Sequence, residues 1–107
     1  ALVDALSALK DRGNKVISFG ATSKSTTVFN YCGIGKELID YITDRTDDKI
    51  GKFSPGKHIP IIAEGVGFDD SVDAAFLGAW NYKDAILTKY PDFKGSWITH
   101  VPEVSVI

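Results

Sequence analysis

One stretch, Lys15 to Gly35 (KVISFGATSKSTTVFNYCGIG), limits what this chain can fold into. The apolar run Val16-Ile17-Ser18-Phe19 stops at Gly20. Ala21 to Thr26 are small or polar apart from Lys24, and Thr27 to Cys32 continue as a helix. Strand, tight turn and helix N-terminus is the arrangement with which α/β proteins hold an anion. Backbone N–H groups at the helix start, the positive end of the helix dipole, several hydroxyls and Lys24 are expected to converge on one point. Ser23, Ser25, Thr26 and Thr27 are each acceptable N-cap residues, so the helix start stays open over a few positions.

The rest of the chain alternates in the same way. Leu2, Val3, Leu6 and Leu9 repeat at helical spacing, and Gly13-Asn14 supplies a stop. A helix directly before the first strand reads as a crossover from an earlier strand, so residues 1–14 are expected to arrive from an upstream domain. After the turn helix, which should end at Gly33 or Gly35, a second strand is expected over Leu38 to Thr43, with Asp44 to Asp48 as the polar loop at its carboxyl end. Ile50 to Lys57 reads as a turn-rich connection. A short third strand over His58 to Ala63 belongs at a sheet edge, because Pro60 lacks a donor. Glu64 to Ser71 leaves room for one helical turn. Val72 to Trp80 is an apolar run suited to a strand buried on both faces. Lys83 to Tyr90 forms a helix with Ala85, Ile86 and Tyr90 inward, stopped by Pro91. Trp97 to Val101 closes the core, and Val104 to Ile107 is a short tail strand. This alternation predicts a Rossmann-like three-layer α/β sandwich with a mostly parallel sheet, strand order 3-2-1-4-5. The ligand crevice is expected beside the first strand, where Gly20, Asp44 and Trp80-Asn81 meet.

Composition excludes several function classes. At 107 residues the chain is a single domain with room for a core. A net charge of −2 with scattered Lys and Arg leaves no footprint for nucleic acid. No apolar run approaches the ~20 residues of a membrane span, and no signal peptide is visible. Cys32 is the single cysteine, so no internal disulfide can form, which fits a cytoplasmic location. His58 and His100 lack metal-ligand spacing, so no metal site is expected. The absence of methionine suggests an excised or processed piece, with functional residues in another part of the protein.

The chemistry is that of binding rather than catalysis. Gly20 to Thr26 is not a full dinucleotide fingerprint, because Thr22 and Ser25 stand where glycines are needed, nor is it a P-loop, because Ser23 precedes Lys24-Ser25. An anion site and a plain strand-to-helix turn both remain open, and Lys24 favours the first. Asp44 stands where nucleotide-binding folds place a ribose-binding acid, though by itself the position reads more readily as a solvated loop acid beside Arg45. Asn30 has poor helix propensity and either caps a group or reaches into the crevice. Cys32 reads as a small buried helix residue. No nucleophile–base pair or carboxylate pair stands out, so no catalytic residue is assigned.

Three blocks of the sequence carry a resemblance. They are Phe19-Gly20-Ala21-Thr22-Ser23-Lys24-Ser25-Thr26 with Asn30-Tyr31-Cys32-Gly33-Ile34, then Asp44-Arg45 through Pro55-Gly56-Lys57-His58-Ile59-Pro60-Ile61, then Ala79-Trp80-Asn81-Tyr82. Together they resemble the C-terminal domain of the S-adenosylmethionine-dependent sugar C-methyltransferases, which act on nucleotide-linked deoxysugars. There the blocks run approximately G-x-G-A-x-x-K-G-x-T-x-x-N-Y-x-G-I, D-R-x-x-x-K-x-G-x-x-x-P-G-x-H-I-P-I and A-W-N. Val101-Pro102-Glu103 resembles the family's closing strand. The chain departs at Ser18 and Ser25, where the family has glycine and which bear on how closely a phosphate approaches the backbone.

The resemblance implies an enzyme in three parts: a zinc-binding module, a central methyl-donor domain that binds S-adenosylmethionine, and this domain, inactive alone and packed on the donor domain. It implies that Gly20, Ala21, Lys24, Thr26 and Asn30 help hold the diphosphate or sugar, Asp44 a sugar hydroxyl, and Trp80 and Asn81 line the same crevice. No cofactor is expected on this domain itself. Two rivals remain: a nucleotide- or sugar-phosphate-binding module of another enzyme, and a purely structural domain kept for packing.

Overall fold

Apolar residues occupy successive positions along the core strands, so both faces of the sheet must be covered. The computed structural model describes residues 2–78, 83–99 and 105–106, with backbone alone for residues 23, 24, 83, 105 and 106. Its elements run α1 (Leu2–Asp11), β1 (Val16–Phe19), α2 (Ser23–Cys32), β2 (Tyr41–Asp44), β3 (Ile61–Ala63), α3 (Glu64–Gly67), β4 (Ala74–Leu77), α4 (Lys83–Lys89), β5 (Ser96–Thr99) and β6 (Ser105–Val106). The sheet order is β3-β2-β1-β4-β5-β6. The first five strands are parallel and β6 joins β5 antiparallel, with Ile98 opposite Val106. The predicted mostly parallel sheet and its order 3-2-1-4-5 are those of the molecule.

The period of two along each strand divides the core. Val16, Ile42, Ala74, Phe76 and Ile98 face α1 and α2, meeting Leu2, Leu6 and Phe29. Ile17, Phe19, Ala75, Leu77 and Trp97 face the other way, against Phe68, Ile86, Leu87 and Tyr90. These are the two outer layers of a three-layer sandwich. Ser18, on β1, has a fully buried hydroxyl with no hydrogen-bond partner among the described residues.

Several local expectations change. The second strand starts at Tyr41, because Leu38 and Ile39 close a turn by donating to the Gly35 carbonyl at 3.1 and 3.0 Å. The third strand starts at Ile61, and the fourth covers only Ala74–Leu77. On α4 it is Leu87, with Ile86 and Tyr90, that packs inward, while Ala85 is exposed. Residues 79–82, 100–104 and 107, which include Trp80, Asn81 and His100, lie outside the described residues.

The edge strand β3 is not left bare. Gly51 N–H donates to the Ile61 carbonyl and Ile61 N–H to the Lys52 carbonyl, each at 2.9 Å, and Ser54 N–H reaches the Ile59 carbonyl at 2.9 Å. Residues 51–54 therefore lie antiparallel beside 59–61, with Phe53 bridged to Pro60. This blocks strand addition at the edge and holds the loop after β2 in a defined place.

Candidate functional site

The turn after β1 is built by two constraints. Gly20 has φ +90°, a left-handed conformation that side chains rarely adopt, and its N–H donates to the Thr43 carbonyl at 2.8 Å. Thr22 is the N-cap of α2: its backbone is extended and its hydroxyl accepts the Ser25 N–H at 3.1 Å. The cap is thus one residue before the earliest candidate read from the sequence. At the other end of the helix Gly33, with φ +71°, makes the left-handed C-cap.

Asp44 ends β2 and its carboxylate turns towards this same turn. Oδ2 accepts the Ala21 N–H at 2.7 Å and Oδ1 the Thr46 N–H at 2.8 Å. Burial pushes this carboxyl up. The N–H groups of Thr46 and Ala21, the Thr46 hydroxyl and the Lys49 charge outweigh it and hold Asp44 below the usual carboxylate range. Lys49 completes the tie by donating from Nζ to the Ala21 carbonyl at 2.7 Å. The N–H groups of Ala21 and Ser25 therefore have partners within the protein, and the convergence of free donors expected from the sequence does not include them.

A cleft of about 490 Å³ opens between the first turns of α2 and the loop after β2. Ala21, Thr22 and Thr26 from around the start of α2 line it together with Asp48, Lys49, Lys52 and Phe53 from the loop after β2. Lys52 makes no ion pair among the described residues, so its charge is available to a ligand. Of the residues read from the sequence, Ala21 and Thr26 line this cleft. Gly20 and Asp44 shape the turn behind it. Asn30 is exposed on α2 and packs over Gly56, where a Cβ would come within 2.4 Å of its Oδ1. The Lys24 side chain, Trp80 and Asn81 are outside the described residues.

Lys52 and Phe53 escaped the sequence reading. They stand in a turn-rich segment whose periodicity says nothing of direction, and only the pairing of 51–54 with 59–61 aims them. Lys49 had a signal, since it occupies the lysine of the D-R-x-x-x-K block.

A parallel sheet in the order 3-2-1-4-5 with helices packed on both faces defines a Rossmann-like α/β domain. Residues 1–102 match the C-methyltransferase C-terminal domain family. The chain is also 34% identical over 98 residues to C-methyltransferase NovU of Streptomyces niveus, a match covering 89% of this chain and 23% of that protein. This chain belongs to the C-methyltransferase C-terminal domain family, and it spans about a quarter of the length of that relative.

A methyltransferase family implies a methyl donor, in general S-adenosylmethionine. The cleft offers Lys49 and Lys52 to an anion and Asp48 to a cation, while Asp44, the acid suited to a ribose diol, accepts two backbone N–H groups.

Proposed function

We propose that this chain is the substrate-binding C-terminal domain of an S-adenosylmethionine-dependent C-methyltransferase acting on nucleotide-linked sugars. It grips the diphosphate and helps close the active site, while the methyl donor and the catalytic base are held outside this domain. The observation that carries this reading is the pairing of Lys49 and Lys52 across from the first turns of α2. Two ammonium groups and the Thr26 hydroxyl can meet the oxygens of a diphosphate, assisted by the positive end of the α2 dipole. Lys24 enters the site by its place in the first turn of α2. Asn30, which lies over Gly56, enters only through the resemblance. Asp44 acts one step back: it holds the turn against which the diphosphate lies. Trp80 and Asn81 enter only through the resemblance. The 34% identity to a C-methyltransferase supports the reaction class.

The test is the affinity of the methyltransferase for a nucleoside-diphosphate sugar, measured by calorimetry. Lys52→Ala is expected to weaken it by about 1.5–3 kcal/mol, the range for hydrogen bonds to charged groups. S-adenosylmethionine affinity should stay as it was. An unchanged sugar-nucleotide affinity would remove the cleft from the substrate site.

A further inference from the structure

The first cleft has a neighbour. A shallower depression of about 680 Å³ is bounded by Lys36, Lys52, Phe53 and His58, and it shares Lys52 to Pro55 with the first. Phe53 therefore stands where the two meet, and its side chain is 59% exposed. A single exposed aromatic normally needs no explanation. Phe53 differs from the other large apolar side chains exposed among the described residues, Tyr31 and Val66, which line neither cleft. It is also held in place. Its neighbours Lys52 and Ser54 are tied by backbone hydrogen bonds to Ile61 and Ile59 at 2.9 Å, and Ser54 Oγ accepts the Ile59 N–H at 3.0 Å. A backbone already paired in this way does not have to be ordered when a ligand lies on the side chain it carries.

Lysines line both clefts that Phe53 shares: Lys49 and Lys52, with Asp48, in the first, and Lys36 and Lys52 in the second. Neither Lys36 nor Lys52 makes an ion pair among the described residues. An exposed aromatic face that shares its clefts with ammonium groups suits a ligand that joins a planar π system to phosphates, because stacking and charge pairing act on different parts of the same molecule. A sugar phosphate alone would leave the ring uncovered.

We propose that Phe53 is the stacking platform for the base of a nucleoside diphosphate, the base lying over the second cleft while the diphosphate occupies the first. This inference rests on the reading of the first cleft as a diphosphate site. Lys52, common to both clefts, lies beneath the junction of base and phosphate. Lys36 and His58 border the space beyond the base and offer it hydrogen-bond donors.

The experiment compares two probes, uridine diphosphate and inorganic pyrophosphate, titrated calorimetrically into the full-length methyltransferase that contains this chain, its Phe53→Leu variant and its Phe53→Trp variant. Stacking on an aromatic ring corresponds to about a tenfold gain in affinity. Uridine diphosphate should bind the unaltered enzyme about tenfold more tightly than pyrophosphate. Phe53→Leu should remove that advantage and leave pyrophosphate binding unchanged, and Phe53→Trp should keep it. If Phe53→Leu leaves uridine diphosphate binding unchanged, the stacking role is overturned while the diphosphate site stands. Equal weakening of both probes would also overturn it, since the defect would then lie in the fold of the loop. If neither probe binds the unaltered enzyme, the diphosphate reading falls and the stacking role with it.

Discussion

Asp44 shows how one side chain can hold a turn. Its two carboxylate oxygens accept N–H groups from Ala21 and Thr46, so it joins the end of β2 to the loop on either side of the cleft. An amide in its place has one acceptor oxygen and would set an NH₂ group against the other N–H donor. Asp44→Asn is therefore expected to cost about 1–3 kcal/mol in urea denaturation at neutral pH. The pH dependence follows from the sign of the shift. The folded carboxyl lies below its unfolded value, so its contribution is complete above roughly pH 4 and is lost as pH falls through the folded value. The gap in stability between the two proteins should narrow steadily below about pH 4. A gap that persists at low pH would show that Asp44 acts through packing and not through its charge.

At the scale of elements, the position of α2 depends on a glycine outside it. Gly78 follows β4 and is buried, and a Cβ there would lie 2.0 Å from Ser25 Oγ and 3.2 Å from Ser25 Cα. The first turn of α2 therefore rests directly on the end of β4. Gly78→Ala must rotate the Ser25 hydroxyl away from Thr22 Oγ1, 3.0 Å distant, or push the helix off the sheet. The expected loss is about 1–3 kcal/mol, the range for overpacking. Amide chemical shifts should change over Thr22 to Thr26 while those of β5 stay in place. Shifts confined to the neighbours of Gly78 would show that the helix does not move. Much of this element was legible beforehand. The strand, the glycine turn and the Gly33 stop follow from local rules. The Thr22 cap and the Gly78 contact do not, because several hydroxyls compete for the first and the second joins residues far apart in sequence.

Across the whole molecule, the layer opposite α1 and α2 is held by rings. Phe19 lies edge-on to Phe68, Tyr90 and Trp97 at 5.1, 5.6 and 5.4 Å, and Phe68 meets Phe93 at 4.8 Å. The Tyr90 hydroxyl donates to the Glu64 carboxylate, linking the end of α4 to α3. Burial, then the hydrogen bond and charge of Glu64, push the Tyr90 phenol up to about 12. The folded value exceeds the unfolded one, near 10, so this contribution is present below pH ~10 and is lost as pH rises towards 12. Ultraviolet titration should show one phenol ionising late, and Tyr90→Phe should abolish that phase. A late phase surviving in the variant would assign it to another tyrosine.

What could be read without coordinates was whatever depends on neighbours in the chain. The apolar run from Val72 pointed to a sheet covered on both faces. The alternation of elements set its order, and Gly20 marked the turn. The blocks of the resemblance led to the family that residues 1–102 match. Other features required the chain to be folded. Asp44 read as a solvated loop acid or a ligand group, yet the approach of β2 to the β1 turn makes it a hydrogen-bonded tie. Lys52 and Phe53 read as loop residues, yet the pairing of 51–54 with 59–61 fixes them at the mouth of two clefts. The difference has one physical cause: periodicity records which face a residue takes within its own element. The direction of a loop side chain is set by hydrogen bonds to residues that only the fold brings near.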